Sequence, residues 1–460
     1  MNNYIFITRD GAPLPLADRL QDEGKRVVVG MTVDDPECKG RPAKNECRLS
    51  LYDGILEKKT DIEVMAWMKT LPNKDEWFVM FDYGDLWPQS EKVLSMGFRK
   101  GIFPTEEGYK LEKDRQAGKA FAKKYYPNLL VAPVQEFKKV DDAIKFLSEK
   151  GDGIYVLKSE GSNAETVVPA TTDVDLAKKQ IIGALRSEGK DYEKEGFTLE
   201  ELIENPIEIS PVMVFWEGKP LFSLVEFENK PLGAGNIGRL SGGCQNLSFR
   251  TRLDCSLNKL AFPPIIYEMA KKQPGIGIYD CGLLCDGNEF YFTEFCSQRW
   301  GWDGIFSEIA MCSNDDGDMA VSRHFDGISE GFAPLAYNFG ASIRLFQTEP
   351  DTKRPDVYQD GYAMDWHDRF SNQLFFYLIK KVALGKPPED QFVSVGYKKD
   401  LGVATGAGRT AEAAINAAYE AAEGFAMTGV YYRPKFDFVS KAYPTAIMNR
   451  YDFLKSSGLI

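Results

Sequence analysis

Two groups of lysines in the middle of the chain have the type and spacing of a phosphate-binding site. Lys119 and Lys123 are four residues apart in the helix-like segment GKAFAKKYY, so they share one helix face. Lys158 closes the apolar strand-like segment IYVLK, just before a turn that contains Gly161. Most helix lysines are solvated surface charges, whereas a cation at the end of an apolar strand needs a partner. The separated lysines therefore suit a triphosphate.

Acidic residues crowd the next strand-like segment, FTLEELIENPIEIS. The carboxylates are Glu200, Glu201, Glu204 and Glu208, and a hairpin signal, WEGKP, follows them. A strand of this kind can offer backbone groups to a purine base and a carboxylate to ribose hydroxyls. A solvated acidic edge is the alternative interpretation for about half of these residues.

A glycine-rich stretch, FENKPLGAGNIGRLSGGCQNL, resembles a loop that covers a ligand. It contains Asn236 and the pair Gly242 and Gly243. Glycine permits close backbone approach to a ligand, although a long exposed turn would use glycine as well.

The segment IYDCGLLCDGNEFYFTEFCSQRWGWDG carries a candidate metal site. Its second apolar strand ends near Glu294, and Arg299 and Asp303 follow within a few residues. A carboxylate in this position suits magnesium, which prefers oxygen ligands, and Arg299 could neutralise a carboxylate or an acyl phosphate. The alternative is an ion pair between Glu294 and Arg299 that closes a hairpin.

The composition excludes several classes of protein. The chain has 460 residues and a formal net charge of -12, and it shows no dense basic stripe, so nucleic acid is not an expected partner. The eight cysteines form no CxxC pair, and no apolar run is long enough to span a bilayer, so we expect a cytoplasmic protein outside the membrane. With only two histidines, the chemistry should rest on lysine, arginine and carboxylates.

The pattern of apolar segments changes along the chain and predicts separate domains. Residues 1–105 alternate strand-like and helix-like segments and predict a parallel α/β domain. Residues 106–330 predict helices, strands and hairpins, and residues 331–460 predict a mixed α/β domain with an Ala-rich helix. Packed against one another, these parts would form one compact enzyme.

Taken in this order, the segments resemble the ATP-grasp superfamily. Two of them, GKAFAKKYYPNLLVAPVQEF and GVATGAGRTAEAAINAAYEAAEGFAMTGVYYRPKFDF, are similar to the phosphoribosylamine-glycine ligase family, and the resemblance covers about residues 106–460. It implies an α/β and α+β multidomain fold. The expected parts are a parallel α/β pre-ATP-grasp-like domain, an ATP-grasp nucleotide and metal domain, and a mixed α/β domain.

The resemblance also implies a reaction and its cofactors, ATP and Mg2+. A ligase of this family phosphorylates a carboxylate, and an amine then attacks the acyl phosphate to give an amide. Small molecules would be the partners, such as glycine and an amine, and the pathway would be purine biosynthesis. The implied sites are Lys119 and Lys158 at the ATP phosphates, Glu201 and Glu208 at adenine and ribose, Glu294 at magnesium, Arg299 beside the acceptor carboxylate or acyl phosphate, and the loop at Asn236, Gly242 and Gly243 over the substrates.

The chain departs from the family pattern at three places. TRDGAPLPLADRL replaces the glycine-rich turn that would hold a phosphoribosyl group, and the loop after Lys158 is short. Cys296 stands where an Asn would offer oxygen to magnesium, and one residue appears inserted before Arg299; Asp280 is a compensating ligand to consider. These changes leave two alternatives open: a ligase for a different amino acid or amine, and a nucleotide-binding protein without catalysis.

Overall fold

The structure is a computed structural model, and it describes most of the chain. The described residues are 1–32, 50–149, 152–160, 166–297, 302–312, 321–347, 360–383, 390–396, 399–442 and 446–460. Among the helices within these ranges, none has the length and apolar composition needed to cross a membrane.

The helices and strands of the described residues follow one another in this order. They are β1 (Asn3–Thr8), α1 (Leu14–Asp22), β2 (Arg26–Met31), β3 (Lys58–Thr60), α2 (Asp61–Thr70), β4 (Trp77–Phe81), α3 (Trp87–Ser95), β5 (Lys100–Ile102), α4 (Glu106–Lys113), α5 (Arg115–Tyr125), β6 (Val134–Phe137), α6 (Val140–Glu149), β7 (Tyr155–Ser159), α7 (Val174–Glu195), β8 (Phe197–Glu201), β9 (Ile207–Trp216), β10 (Lys219–Gly233), β11 (Ile237–Thr251), α8 (Ser256–Ala261), α9 (Pro264–Lys272), β12 (Ile276–Cys285), β13 (Phe290–Ser297), α10 (Trp302–Met311), α11 (Val321–Ser329), β14 (Phe339–Gln347), β15 (Asp365–Trp366), β16 (Leu374–Phe376), β17 (Ile379–Ala383), β18 (Asp390–Ser394), β19 (Asp400–Gly408), α12 (Ala411–Glu423), β20 (Phe425–Ala426), β21 (Val430–Tyr431), α13 (Phe436–Val439) and α14 (Ile447–Ser456).

The chain divides into two compact units. The first comprises Met1–Gly108, Ser210–Asp280 and Cys296–Ile460, and the second comprises Tyr109–Ile209 and Cys281–Phe295. The first unit thus contains residues from each of the three predicted domains, 1–105, 106–330 and 331–460. The division of the chain into these three domains stays a prediction.

A parallel sheet with strand order β3-β2-β1-β4-β5 forms the N-terminal part of the first unit. Both of its faces are covered, because Tyr4 and Phe6 of β1 belong to one buried cluster and Ile5 and Ile7 belong to another. Helix α2 begins at a capping box, in which Thr60 accepts from the backbone of Glu63 and the Glu63 carboxylate accepts from the backbone of Thr60. The predicted parallel α/β fold of the N-terminal part is confirmed.

A larger sheet has the order β13-β12-β9-β10-β11-β14-β19-β16, and β21 also pairs with β14. The strand pairs β9–β10, β10–β11, β11–β14, β14–β19 and β16–β19 of this sheet are antiparallel. Glycines allow helices to lie close on both faces: Gly340 faces the backbone of Ser307 in α10, and Gly406 faces the backbone of Ala418 in α12. The predicted combination of parallel α/β and antiparallel parts is confirmed.

The second unit contains a small antiparallel sheet with the order β6-β8-β7. One face, which includes Leu157 and Leu199, packs on residues of α6 and α7 such as Leu147 and Ile181. Because side chains alternate along a strand, the neighbouring Lys158 and Glu200 point away from that core. The sheet therefore supports a charged face.

Candidate functional site

A carboxylate between two lysines lies on the charged face of the small sheet. Glu200 of β8 accepts from Lys119 of α5 at Oε1 (2.7 Å) and from Lys158 of β7 at Oε2 (2.8 Å). The side chains of Lys119 and Glu200 are only 4% and 8% exposed, and that of Lys158 is 18% exposed. The lysines lie 39 residues apart in sequence, and the fold brings them to one acceptor.

In this cluster, burial and the neighbouring opposite charges act against each other on the pKa values of Glu200 and Lys119. Burial alone would raise the pKa of Glu200, but the nearby Lys158 and Lys119 hold it below its ordinary value. Burial lowers the pKa of Lys119, and Glu200 offsets part of that decrease. One carboxylate thus faces two lysine side chains.

Arg115 adds a further cation on the same helix, one turn before Lys119. Its Nε donates to the carbonyl oxygen of Ser159 at the end of β7 (3.4 Å), and its Nη1 lies 3.7 Å from Oε2 of Glu294. The repulsion of Arg115 and Lys158 contributes to the lowered pKa of Lys119. Arg115 was not singled out in the sequence; its four-residue spacing from Lys119 was the available signal.

A polar cleft of about 490 Å³ lies beside the segment that follows Glu200. The chain from Glu201 to Asn205 forms one wall, and Ala132, Pro133 and the hairpin residues Asp286, Asn288 and Tyr291 form the rest. Glu201 is exposed at the cleft, whereas Glu208 lies farther along, partly buried near the start of β9. The structure thus brings Lys119, Lys158 and Glu200 together, with Glu201 adjacent.

The hairpin formed by β12 and β13 carries Glu294, whose side chain is 46% exposed. Aromatic packing fixes this strand against α5: Phe121 lies 5.4 Å from Phe295, and Tyr126 lies 6.1 Å from Phe292, between ring centroids. Within the described residues, no group of three or more His, Cys, Asp or Glu side chains could hold a metal ion. Magnesium often takes only one or two protein carboxylates together with substrate phosphates, so an accessible Glu294 fits that mode.

The other residues considered for the metal and acceptor sites in the sequence are Arg299, Asp280 and Cys296. Arg299 lies outside the described residues, as does the Gly161 loop. Asp280 lies in β12 and belongs to the first unit, whereas Glu294 belongs to the second. Cys296 is partly buried near the end of β13.

The glycine-rich stretch is a hairpin of the large sheet rather than a long loop. Strand β11 includes Gly242 (φ +74°) and Gly243 (φ +159°), and the turn before it contains Gly235 (φ +74°) and Asn236 (φ +59°). Such φ values favour glycine, and Asn tolerates them better than most residues do. The predicted ligand-covering loop is therefore strand-paired over most of its length.

The carboxyl ends of the central strands β1 and β4 carry an acidic cluster. Asp82 is 1% exposed and accepts from the hydroxyl of Thr8 and from the backbone N–H of Arg9. Burial, with a contribution from Asp10, raises the pKa of Asp82 to about 8. Tyr83 donates to Asp10 (2.9 Å). The turn after β1 is thus built around carboxylates.

The fold is similar to those of solved ATP-dependent enzymes. Phosphoribosylamine-glycine ligase from Thermotoga maritima shares 17% identity, with a TM-score of 0.60 over 94% of this chain and 99% of that chain. Biotin carboxylase from Campylobacter jejuni, solved as a β-γ-ATP complex, shares 14% identity, with a TM-score of 0.57 over 99% and 97%. The biotin carboxylase domain of 2-oxoglutarate carboxylase from Hydrogenobacter thermophilus, solved with MgADP, ADP and bicarbonate, shares 11% identity, with a TM-score of 0.57 over 99% and 97%.

These likenesses confirm the predicted ATP-grasp resemblance at the level of the fold. The sequence itself matches no protein-family model and no curated protein.

Proposed function

We propose that the protein is an ATP- and magnesium-dependent ligase that joins a carboxylate to an amine. The observation that carries the proposal is the cluster of Lys119, Lys158 and Glu200, with Arg115 beside it. Cations that are held on a strand and a helix, with one carboxylate among them, suit a polyphosphate because little reorganisation is needed when it binds. The fold neighbours support the nucleotide, since two of them were solved with ATP-type ligands.

In this proposal the nucleotide lies across the second unit. Lys119, Lys158 and Arg115 would bind the phosphates, and the segment from Glu201 to Asn205 would line the nucleoside, with Glu208 near the ribose. Glu294 would hold magnesium, which would neutralise phosphate charge when bound.

The proposed reaction has two displacements. An oxygen of the substrate carboxylate attacks the γ-phosphorus of ATP, and ADP leaves. The amine nitrogen then attacks the acyl carbon, inorganic phosphate leaves, and the amine gives up one proton to solvent. The side chains of the chain itself serve by positioning and charge neutralisation, and we expect Arg299 to stand near the acceptor.

The specific substrates of the proposal are glycine and phosphoribosylamine, which would place the protein in purine biosynthesis. The acidic turn after β1 counts against the phosphorylated amine, because the Asp10 carboxylate stands where a phosphate cradle is expected. An amine without phosphate is the second candidate. A nucleotide-binding protein without catalysis is the third.

The decisive experiment combines a thermal-shift screen with an assay of ADP release. ATP with magnesium should raise the melting temperature, because only ligands that prefer the native state stabilise it. If the acidic turn excludes a phosphate, glycine with unphosphorylated amines should then release ADP, and phosphoribosylamine should be a poor substrate. Rapid formation of glycinamide ribonucleotide would make Arg9 or Arg19 the candidate phosphate ligand. A thermal shift without ADP release under any amine would favour the binding protein.

A cytoplasmic location is part of the same proposal. The eight cysteines include no CxxC pair, and a chain of 460 residues can bury enough apolar core to fold without disulfide bonds. Both features fit a reducing compartment.

A further inference from the structure

The tip of the glycine-rich hairpin depends on residues about 200 positions later in the chain. Between β10 and β11 the pairing is irregular: Pro231 pairs with Leu240 and Gly233 pairs with Ile237, with register shifts on both sides. Irregular pairing near a turn leaves some backbone N–H and C=O groups without a hydrogen-bond partner in the neighbouring strand. Partners from elsewhere must supply those hydrogen bonds.

Arg433 supplies them from a fully buried position. Its side chain is 1% exposed, Nη1 donates to the carbonyl oxygen of Pro231 (2.8 Å), and Nη2 donates to Oδ1 of Asn236 (2.7 Å). Nε donates to Oδ2 of Asp437 (2.9 Å), and the same oxygen accepts from the backbone N–H of Gly235 (2.9 Å). One guanidinium group thus ties both sides of the hairpin turn to the C-terminal segment.

A second set of buried contacts fixes the backbone around Arg433. Tyr419 of α12 donates to the carbonyl oxygen of Arg433 (2.8 Å). Gln245 of β11 donates to the hydroxyl oxygen of Tyr419 (2.6 Å) and to the carbonyl oxygen of Pro434 (2.9 Å). Because Gln245 follows Gly243 by two residues, the network holds both the tip and the base of the glycine-rich strand.

We propose that Arg433 is a positioning residue for the acceptor site. The segment of residues 431–437 locks the hairpin so that the backbone at Gly242 and Gly243 is held in the conformation that meets the acceptor carboxylate. The assignment of the acceptor to this hairpin rests on the proposed function together with the family resemblance, which places the loop at Asn236, Gly242 and Gly243 over the substrates. The lock itself rests on the contacts of Arg433 and Asp437.

The test uses the full chain with Arg433→Lys and, separately, Asp437→Asn. A lysine side chain keeps the positive charge, but its single ammonium group cannot donate to all of the acceptors that the planar guanidinium group of Arg433 reaches. Amide hydrogen exchange over residues 235–243 should become at least about tenfold faster, and KM for the acceptor carboxylate should rise by about tenfold or more, while KM for ATP stays within about twofold. Asp437→Asn should change both quantities in the same direction.

Arg450→Gln is the matched control. Arg450 is also buried and donates to the carbonyl oxygen of Glu228 (2.8 Å) and to Oδ1 of Asn229 (2.9 Å). Both acceptors lie in β10, like Pro231, but farther from the tip of the hairpin. Its loss should lower the melting temperature without speeding exchange at residues 235–243 and without changing the ratio of the two KM values.

Unchanged exchange at residues 235–243 in folded Arg433→Lys and Asp437→Asn would overturn the proposal. An equal rise in the acceptor KM in Arg450→Gln would overturn it as well, because the effect would then be general destabilisation. If the wild-type chain releases no ADP with any acceptor, the proposed function fails, and the exchange comparison still decides whether Arg433 locks the hairpin.

Discussion

Glu200 determines how the two lysines are presented. Its carboxylate pairs with Lys119 and Lys158 at 2.7 and 2.8 Å, so the buried Lys119 and the partly buried Lys158 each have a counter-ion. An incoming phosphate would share these donors rather than create a site from solvated side chains. Removing Glu200 would therefore leave two like charges close together, whereas removing one lysine leaves a satisfied pair.

Lys158→Ala tests this arrangement. The protein should stay folded, because Lys119 still pairs with Glu200, and affinity for ATP should fall by about 10- to 100-fold, the range expected for a charge-assisted contact. Isothermal titration calorimetry with ATP measures the change. Lys123→Ala is the control, since Lys123 lies exposed on the same helix and should have no effect. Unchanged affinity in a folded Lys158→Ala protein would remove this lysine from the site.

Glu294 tests the proposed magnesium site. Glu294→Gln keeps the size of the side chain and removes its charge, so ligation should fall by orders of magnitude while the melting temperature changes little. ADP release measured against magnesium concentration gives the result. Turnover and magnesium dependence equal to those of the wild type would make the hairpin structural.

Cys296→Asn is the partner experiment, because an amide oxygen is a harder ligand than a thiol. ADP release should be equal to or higher than that of the wild type. Loss of activity in a well-folded Cys296→Asn protein would mean that the metal-site pattern implied by the family resemblance does not apply to this position.

The lysines could be predicted from their type and position, but Glu200 as their common partner could not. Four glutamates occur within nine residues of that segment, and the sequence alone does not say which of them faces the lysines. Strand alternation and the register of Thr198 opposite Lys158 decide the choice, and both depend on the pairing of β7 with β8. Arg433 belongs to the segment GVYYRPKFDF that carries the family resemblance, but its contacts could not be predicted for a similar reason, since Pro231 and Asn236 lie about 200 residues away.

At the scale of the elements, most helices and strands could be predicted because their apolar periodicity is strong. The segments YIFIT, RVVVG and WFVMF are β1, β2 and β4, and the Ala-rich segment is α12. The glycine-rich stretch was harder, because glycine suits both a mobile loop and a twisted hairpin. Its pairing with β10 and its anchoring at Arg433 are long-range contacts, which a local pattern does not contain.

Gly101 of β5 offers an element-scale prediction. Its φ is +146°, and a Cβ atom there would collide with the carbonyl oxygen of Val79 in β4. Gly101→Ala should therefore lower the free energy of unfolding by about 3 kcal/mol or more. Gly183→Ala is the matched control, because Gly183 is an exposed residue of α7 with open space around it, and this change should add about 0.5–1 kcal/mol. Urea denaturation measures both values, and equal effects would contradict the steric argument.

At the scale of the whole molecule, two buried groups shape the dependence of stability on pH. Burial lowers the pKa of His324 to about 3, even though Glu308 lies 3.3 Å from its Nε2, so the native state binds fewer protons than the unfolded chain below about pH 6.5. This group makes stability fall as the pH drops. Asp82 acts oppositely: its pKa of about 8 exceeds the unfolded value of 3.8, so its contribution is complete below about pH 4 and is lost as the pH rises through 8.

The two groups oppose each other between about pH 4 and 6.5, and above that range only Asp82 acts. The free energy of unfolding of the wild type should therefore decline from about pH 6.5 to 8, by up to about 1.4 kcal/mol per pH unit, and Asp82→Asn should flatten the decline. Urea denaturation at several pH values measures it. Asp254→Asn is the control, since Asp254 is exposed, its pKa is lowered by Arg252, and it titrates well below this range. A decline of equal slope in Asp82→Asn would exclude Asp82 as its source.

The second unit is assembled from two separate stretches of chain, residues 109–209 and 281–295. The later stretch supplies Phe292 and Phe295, whose rings pack on Tyr126 and Phe121, and its Phe290 accepts from the backbone of Leu130. When synthesis has reached residue 209, only part of the aromatic core has therefore been made. Some seventy residues must still be synthesised before the stretch of residues 281–295 begins. During that interval the nascent chain exposes apolar rings, so the native state of this unit is reached late in translation, and chaperones have their longest opportunity to bind there.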